Sequence, residues 1–551
     1  MVKKESPKLV PVTEPEYSLL TEPWLGAVME DGSIQRFGLV GLFENLDDVS
    51  SLVTDTEMED PALFRLLLAI VYRALDPVLE DDYMEWWEDG RIPTDRVVDY
   101  LKEHEDRFWL FHPEHPFLQA NVNPIPNSLP REMDVFIAEP NGPTPFSNRS
   151  SDSTRVMSYD EIARRLVTAL QYDKSMKHAA YENAPGITAQ GAVYAKDAYL
   201  VQMSVIRLKT GSLMRDLLLS LIPLDSEDMF DFESWNDDYT CGVPTWEKPG
   251  MGVTGGGNKD NPLPVMTLQE ALVWPSRRIR LLKYDDGIVR SILSIGSFVN
   301  LQGLDRLEPM AAFKKKKDKT TKQDVLTPIV IYTGKAFWRS LPSLMGVTAT
   351  ENNGRAPMTL RWAAYLKEEG LLPEEYIGNV SVSTIAFSDT DSYKSKVTDF
   401  MSDRASLPMT VINDPESVRL IEKSVQVGES MVNHVYKRLI INIKRAEGMS
   451  GEDANNAAVS QLPFAYDALG ETFYKWMDLL PTLGDDAYKK WIDMTIDTLI
   501  PLGDKVIDAA SIASIMGRSY NNGEDNYSTV VAEDIFRNSL KKIRREEIGG
   551  K

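Results

Sequence analysis

The chain has 551 residues, too many for one hydrophobic core and enough, at roughly 150 residues per domain, for two to four domains. Its 43% hydrophobic and 26% charged residues are ordinary globular composition, which excludes wholesale disorder and fibrous repeats. The 83 Asp and Glu against 60 Lys and Arg leave a formal charge of −23, which excludes coating of nucleic acid by bulk positive charge.

Residues 1–16 alternate Lys, Glu, Pro and Val without period and read as a loose arm. The first eleven lack the apolar stretch of a secretory leader, and no run approaches the roughly 18 apolar residues of a membrane span. One cysteine, Cys241, leaves no disulfide framework and no Cys-ligated zinc. A soluble cytoplasmic protein with no membrane contact is expected. The fold begins at 17–28, with Asp31-Gly32 as a hairpin turn before a strand at 34–37. Asp60-Pro61 opens a helix to Leu75, with Leu63, Leu66, Leu67, Ile70, Val71 and Ala74 on one face. Residues 108–119 are aromatic and Pro-punctuated, while 121–130 and 140–155 are loops. Ser158 and Glu161 form a capping box for a helix to about Tyr172.

Residues 173–195, with Pro185, Gly186 and Gly191, show no period and read as a loop. A strand at 199–208 and a helix at 212–221 follow, then an acidic and Gly-rich stretch over 225–261. A short helix at 268–274 precedes a strand at 277–282 and its hairpin partner at 287–295. A lysine run then interrupts the chain before an apolar segment at 326–332, and 380–387 alternates like a strand. After Asp414 the pattern turns helical: Pro415 takes the first helical position, and Val418, Ile421, Val425, Val432, Val435 and Leu439 recur at helical spacing. Further helical segments at 452–480, 485–513 and 529–545, with mostly short links, predict a four-helix bundle. The expected class is therefore α+β: an arm over 1–16, a large mixed α/β domain over 17–410 and a C-terminal four-helix bundle over 411–551.

Three local basic segments stand against the acidic whole. Lys314, Lys315, Lys316 and Lys317 are followed by Lys319 and Lys322, with Asp318 the only acid among them. Arg277, Arg278, Arg280 and Lys283 form a second group; Lys541, Lys542, Arg544 and Arg545 form a third. Any contact with nucleic acid must pass through such segments.

Enzymatic signatures are lacking. Gly250-Met251-Gly252-Val253-Thr254-Gly255 fits the dinucleotide fingerprint by letter. That fingerprint needs a strand before it and a helix after it, whereas Pro249 precedes and Gly256, Gly257, Asn258 and Pro262 follow, so it reads as a loop. His112 and His115 flank Pro113 and share no helix face, which makes them structural rather than metal ligands. His434 has no carboxylate three or four residues on, there is no G-x-S-x-G elbow, and Cys241 has no local base motif. No catalytic residue, metal or cofactor is expected, and the chain reads as a non-enzyme.

Several stretches, taken together and in order, resemble the CasA family, the large subunit of the type I-E CRISPR surveillance complex Cascade. Leu20-Thr21-Glu22-Pro23-Trp24 resembles the family's opening signature, and 63–75 its first long helix. His112-Pro113-Glu114-His115-Pro116-Phe117-Leu118-Gln119 is similar to its H-x-x-H-P-F-x-Q segment. Pro244-Thr245-Trp246-Glu247-Lys248-Pro249 and Trp274-Pro275-Ser276-Arg277-Arg278-Ile279-Arg280-Leu281 complete the set. The resemblance implies a non-catalytic subunit that recognises the protospacer-adjacent motif (PAM) in double-stranded DNA, starts unwinding and R-loop formation, and recruits the Cas helicase-nuclease. Its implied partners are the backbone and small Cascade subunits, the crRNA 5′ handle and the PAM-bearing duplex. The competing expectation is an acidic protein-only scaffold with no direct DNA contact, for which the charge of −23 argues.

The resemblance also implies sites. A lysine finger of the family corresponds to one of Lys314 to Lys317. Its glycine loop corresponds to the region of Lys177, Ala179 and Ala180, where glycine is replaced. A strand-splitting wedge corresponds to Asp389, Thr390, Asp391 and Ser392, with Asp391 where the family usually has Gln. The loop bearing Asn141, Gly142, Thr144, Phe146, Asn148 and Arg149 offers an aromatic, small residues and a cation, as contact with the crRNA handle and a backbone subunit requires.

Overall fold

The computed structural model describes residues 7–548 apart from 123–129, 133–155, 174–175, 180–191, 196, 227–228, 231–238, 249–262, 295–298, 319–321, 332–334, 346–353, 374–375, 388–396, 413 and 522–524. Two compact units emerge. One comprises Met1–Thr333, Arg355–Tyr365 and Val380–Asp403; the other comprises Gly334–Gly354, Leu366–Asn379 and Arg404–Lys551. The first mixes helices and strands, and the second is built mainly on long helices.

The centre of the first unit is the helix Glu59–Ala74. Periodicity predicts one buried face, yet every residue from Pro61 to Tyr72 is buried. A helix covered all round is a core helix, and here the covering includes a charge. Arg65, fully buried, donates through Nη1 and Nη2 to Glu308 at 2.7 Å each, and to the carbonyls of Ala271 (2.6 Å) and Leu272 (3.2 Å). The Tyr199 hydroxyl and the Met310 amide complete the Glu308 carboxylate at 2.8 and 3.0 Å.

The first unit also holds several small sheets. Leu25–Met29 pairs antiparallel with Ile34–Phe37 through the expected Asp31-Gly32 turn, where Gly32 takes φ 82°, and with Val49–Val53 on its other side. Arg278–Tyr284 pairs with Arg290–Ser294 as expected. Leu9–Val10 also joins this sheet, opposite Tyr284 and Lys283, so the segment read as a loose arm is tied down there. Over 173–195, read as a loop, the chain forms the antiparallel pair Met176–Ala179 and Ala192–Ala195. Residues 199–208 are not one strand: a 3₁₀ turn, Tyr199–Gln202, precedes the strand Val205–Leu208.

The helix Tyr159–Tyr172 starts where expected, but Ser158 makes no side-chain cap and Glu161 turns to Arg165 at 3.0 Å. Its Arg164 gathers Asp55 (2.7 Å), Asp160 (3.0 Å) and, at 3.6 Å, the buried Glu59. Burial lifts the Glu59 carboxyl from the usual 4.5 to about 7, against the opposing Asp55 amide and Arg164 guanidinium. The folded protein thus keeps a proton that the unfolded chain releases. That contribution is fully present below pH 4.5 and is lost as pH rises to about 7. Glu59→Gln should flatten this fall, which is worth about 3 kcal/mol, in urea unfolding measured across the window. An unchanged pH slope in the variant would contradict the assignment.

In the second unit the four expected helices are Pro415–Glu447, Leu462–Leu483, Ala487–Asp508 and Thr529–Ile548. Asp414 caps the first by accepting from the amides of Glu416 and Ser417. That helix carries a π-helical turn at Met431–Tyr436. Two departures follow from local chemistry. Gly451–Val459 is a separate helix, because Pro463 starts a new one rather than continuing it, and that new helix runs through Pro481 to Leu483.

Trp338, Phe473, Trp476 and Trp491 fill the helical core, with ring centroids 5.3–6.2 Å apart in the pairs Trp338–Phe473, Phe473–Trp476, Trp476–Trp491 and Trp338–Trp491. Each indole N–H finds a backbone carbonyl: Tyr466 (3.0 Å), Ala487 (2.9 Å) and Ser424 (2.6 Å). Gly470 and Gly428 make room, since a Cβ there would stand 3.0 and 3.1 Å from the Trp338 and Trp491 rings. Among the described residues no helix is long and apolar enough to cross a membrane.

Candidate nucleic-acid interface

The lysine run is a strand. Phe313–Lys317 pairs antiparallel with Asp324–Pro328, in the register Lys314↔Thr327, Lys315↔Leu326, Lys316↔Val325 and Lys317↔Asp324. The β-branched Val325 and Thr327 give the partner strand its preference, and the lysines follow by pairing with it. Lys322 closes the tip in a left-handed conformation (φ 60°): its amide donates to the Asp318 carbonyl at 3.1 Å, and the Asp318 amide donates to Gln323 at 2.8 Å.

The root of this hairpin is fixed. Met310, Ala311, Ala312 and Phe313 are buried, the Ile206 amide donates to Met310 at 2.8 Å, and the Ile329 carbonyl accepts from Ser204 at 2.9 Å. Lys314 to Lys317 are all exposed. Side chains alternate along a strand, so Lys314 and Lys316 share one face with Thr327 and Val325. Lys315 and Lys317 share the other with Leu326 and Asp324, and Lys315 Nζ lies 3.1 Å from the Asp324 carboxylate. One face is partly neutralised; the other is two lysines with no ion pair among the described residues. Sequence reading missed Asp324, although Asp324–Thr327 after a polar turn is a hairpin signal.

Several members of the other basic groups are committed elsewhere. Arg277 is buried and donates to the Asp173 side chain (2.6 Å) and carbonyl (3.1 Å). Lys283 pairs with Glu16 and sits over the Phe111 and Tyr159 rings. In the second unit Arg544 pairs with Asp493 (2.8 Å) and Lys542 with Glu546 (3.8 Å).

Lys177 and Ala179 lie in the strand Met176–Ala179, opposite Tyr194 and Ala192, in a sheet separate from the lysine hairpin. Ala180 lies outside the described residues. So do Asp389, Thr390, Asp391 and Ser392; the flanking strands Ile377–Phe387 and Val397–Pro408 are neighbours in one sheet, so 388–396 links adjacent strands. Asn141, Gly142, Thr144, Phe146, Asn148 and Arg149, and the Gly250–Gly255 match, are also outside them.

The His112 ring is tied to backbone. His112 Nδ1 accepts the amides of Glu114 (3.1 Å) and His115 (2.8 Å), and the rings stack at 5.7 Å. Burial, with the neighbouring His115 next, holds the His112 imidazole below its ordinary value. Among the described residues no three His, Cys, Asp or Glu gather as a metal site would require.

The family described as CRISPR-associated protein Cse1 matches residues 18–499. The CRISPR-associated protein CasA/Cse1 of Thermus thermophilus is 27% identical over 421 residues, 76% of each chain. The crystal structure of Thermobifida fusca Cse1 superposes with a TM-score of 0.82 at 25% identity, over 96% of this chain and 98% of the other. A chain of a CRISPR RNA-guided surveillance complex shares the fold, with a TM-score of 0.63 at 13% identity over 96% and 100%.

Proposed function

The chain belongs to the CRISPR-associated Cse1 family, and from that premise we propose that it is the non-catalytic large subunit of a type I-E surveillance complex that recognises the PAM in duplex DNA. In this role it promotes the first unwinding and R-loop formation, then recruits the Cas helicase-nuclease. The observation that carries the reading is the lysine hairpin: four exposed cations on a strand with a buried root, in a protein of charge −23. Protein-read motif and RNA-read target divide the labour as in guided recognition generally, so one cationic arm suffices where a coating protein needs a whole surface. The acidic scaffold is the second reading, favoured by the net charge. Labelled duplex mixed with the chain at low salt, with and without the other subunits and crRNA, separates them: PAM-dependent binding supports the first, and none in either mixture supports the second.

The remaining assignments are proposals on the same basis. The loop with Asn141, Gly142, Thr144, Phe146, Asn148 and Arg149 contacts the crRNA handle and a backbone subunit, and Lys177, Ala179 and Ala180 lie near the groove without the family's glycine. Residues Asp389 to Ser392 act as the wedge, offsetting an unstacking cost of a few kcal/mol per step by filling the gap. Asp391 brings negative charge toward phosphates, which leaves Thr390 and Ser392 as the filling groups. Replacing 390–392 with glycines should leave assembly intact and slow R-loop formation on linear duplex. Pre-melting the first target base pairs should restore the rate; equal loss on melted and intact targets would remove the wedge from the mechanism.

A further inference from the structure

The H-x-x-H-P-F-x-Q and P-T-W-E-K-P segments, about 130 residues apart in sequence, meet in the first unit. Between them lies a small, half-open cleft lined by Arg107, Glu114, His115, Gln119, Trp246 and Lys248. Arg280 is tied to the first of these segments. Its Nη2 donates to the His112 carbonyl at 3.2 Å, and the next residue, Leu281, donates its amide to Gln119 at 2.9 Å. The Arg280 Nη1 is buried and has no hydrogen-bond partner among the described residues. Arg65, Arg164, Arg207 and Arg277 each meet a carboxylate, from Glu308, Asp55, Asp60 and Asp173. Among the described residues Arg280 meets none, and burial alone pushes its guanidinium below the ordinary value.

The charged donors lining the cleft are individually balanced, Arg107 by Asp106 (3.0 Å) and Lys248 by Glu270 (2.9 Å), and the His115 ring lies 3.7 Å from the Glu114 carboxylate. Those pairs are partly exposed, at 23–75% on all partners but Glu270, so each is worth roughly 0–1 kcal/mol and gives way to an incoming anion. Arg280 is the charge left over. An uncompensated guanidinium out of water is felt over several ångströms and biases the cleft toward anions without touching them.

We propose that this cleft is an oxyanion subsite taking one phosphate group, with Arg107, His115 and Lys248 as donors and Arg280 as the positioning charge. Donors of three kinds from separate points of the chain suit a tetrahedral group with several acceptor oxygens better than a planar carboxylate, which one Arg fork satisfies. The site does not depend on the lysine hairpin.

Calorimetric titration of pyrophosphate into the full chain at low ionic strength tests it. Saturable binding is expected, weakened about tenfold or more in the double variant Arg107→Ala, Lys248→Ala, which removes two charge-assisted donors. Arg280→Gln should weaken it several-fold, and Arg280→Lys less; the alanine variant of Lys314 to Lys317 should bind like the parent. Because Arg107 and Lys248 are partly exposed, the double variant keeps the fold, and an unchanged melting temperature checks this. Trinucleotides with and without a 5′ phosphate locate the source. Preference for the phosphorylated one assigns a terminal phosphate; equal affinity with competition by pyrophosphate assigns an internal one. No saturable binding by the parent, or binding that survives the double variant, or binding abolished only with the hairpin lysines, overturns the proposal.

Discussion

Glu308→Gln should destabilise the first unit by about 3–5 kcal/mol, because it leaves the Arg65 guanidinium charged and unmatched in the core. Both side chains have no exposed surface, and Glu308 is held by two guanidinium nitrogens, the Tyr199 hydroxyl and the Met310 amide. A domain's whole stability is roughly 5–15 kcal/mol, so the loss is large enough to see in urea unfolding of the intact chain. Arg65→Met combined with Glu308→Leu should recover much of it, since a buried pair replaced by apolar groups of similar size is often neutral. The exposed pair Lys542–Glu546 serves as control, and its removal should cost under about 1 kcal/mol. The core pair also bears on function: Glu308 fixes Met310, where the root of the lysine hairpin begins. A change below about 1 kcal/mol in Glu308→Gln would mean that the pair does not organise the core.

The hairpin lysines should divide by face. Lys314→Ala with Lys316→Ala removes the two cations that no acid opposes among the described residues, while Lys315 and Lys317 share their face with Asp324. Each phosphate that the protein no longer neutralises lowers the salt slope of log K by about 0.9, so the first pair should cut the slope by about two. The second pair, of which Asp324 offsets only one lysine, should cut it by about one. Affinity of the reconstituted complex for duplex, measured from low to physiological salt, reads both. Equal effects from the two faces would argue that the hairpin attracts DNA only by its total charge.

Much of the architecture was legible in the chain. Asp31-Gly32, the alternation at 380–387 and the helical spacing after Pro415 each report a local preference that the fold keeps. What was not legible depends on distant partners. The burial of Arg65 requires Glu308, 243 residues away, and no window around the helix contains it. Gly334–Gly354 joins the helical unit because Trp338 fits over Gly428 and Gly470, a steric match without sequence periodicity. Lysines rank poorly as strand formers, so Lys314 to Lys317 read as an interruption until Asp324–Pro328 is paired against them. The second basic group misleads in the opposite sense: Arg277 looks like a surface cation and is a core residue bound to Asp173.

The central claim is that this chain reads the PAM, and a PAM-library binding assay on complex reconstituted with crRNA tests it most directly. With the parent chain, a small subset of flanking sequences should be enriched. Single alanine variants at Lys314 and Lys316 should narrow the gap between favoured and disfavoured sequences, whereas removing a cation that only attracts phosphate would weaken all of them alike. An enrichment profile that is flat with the parent, or that keeps its shape in every lysine variant, would contradict the account.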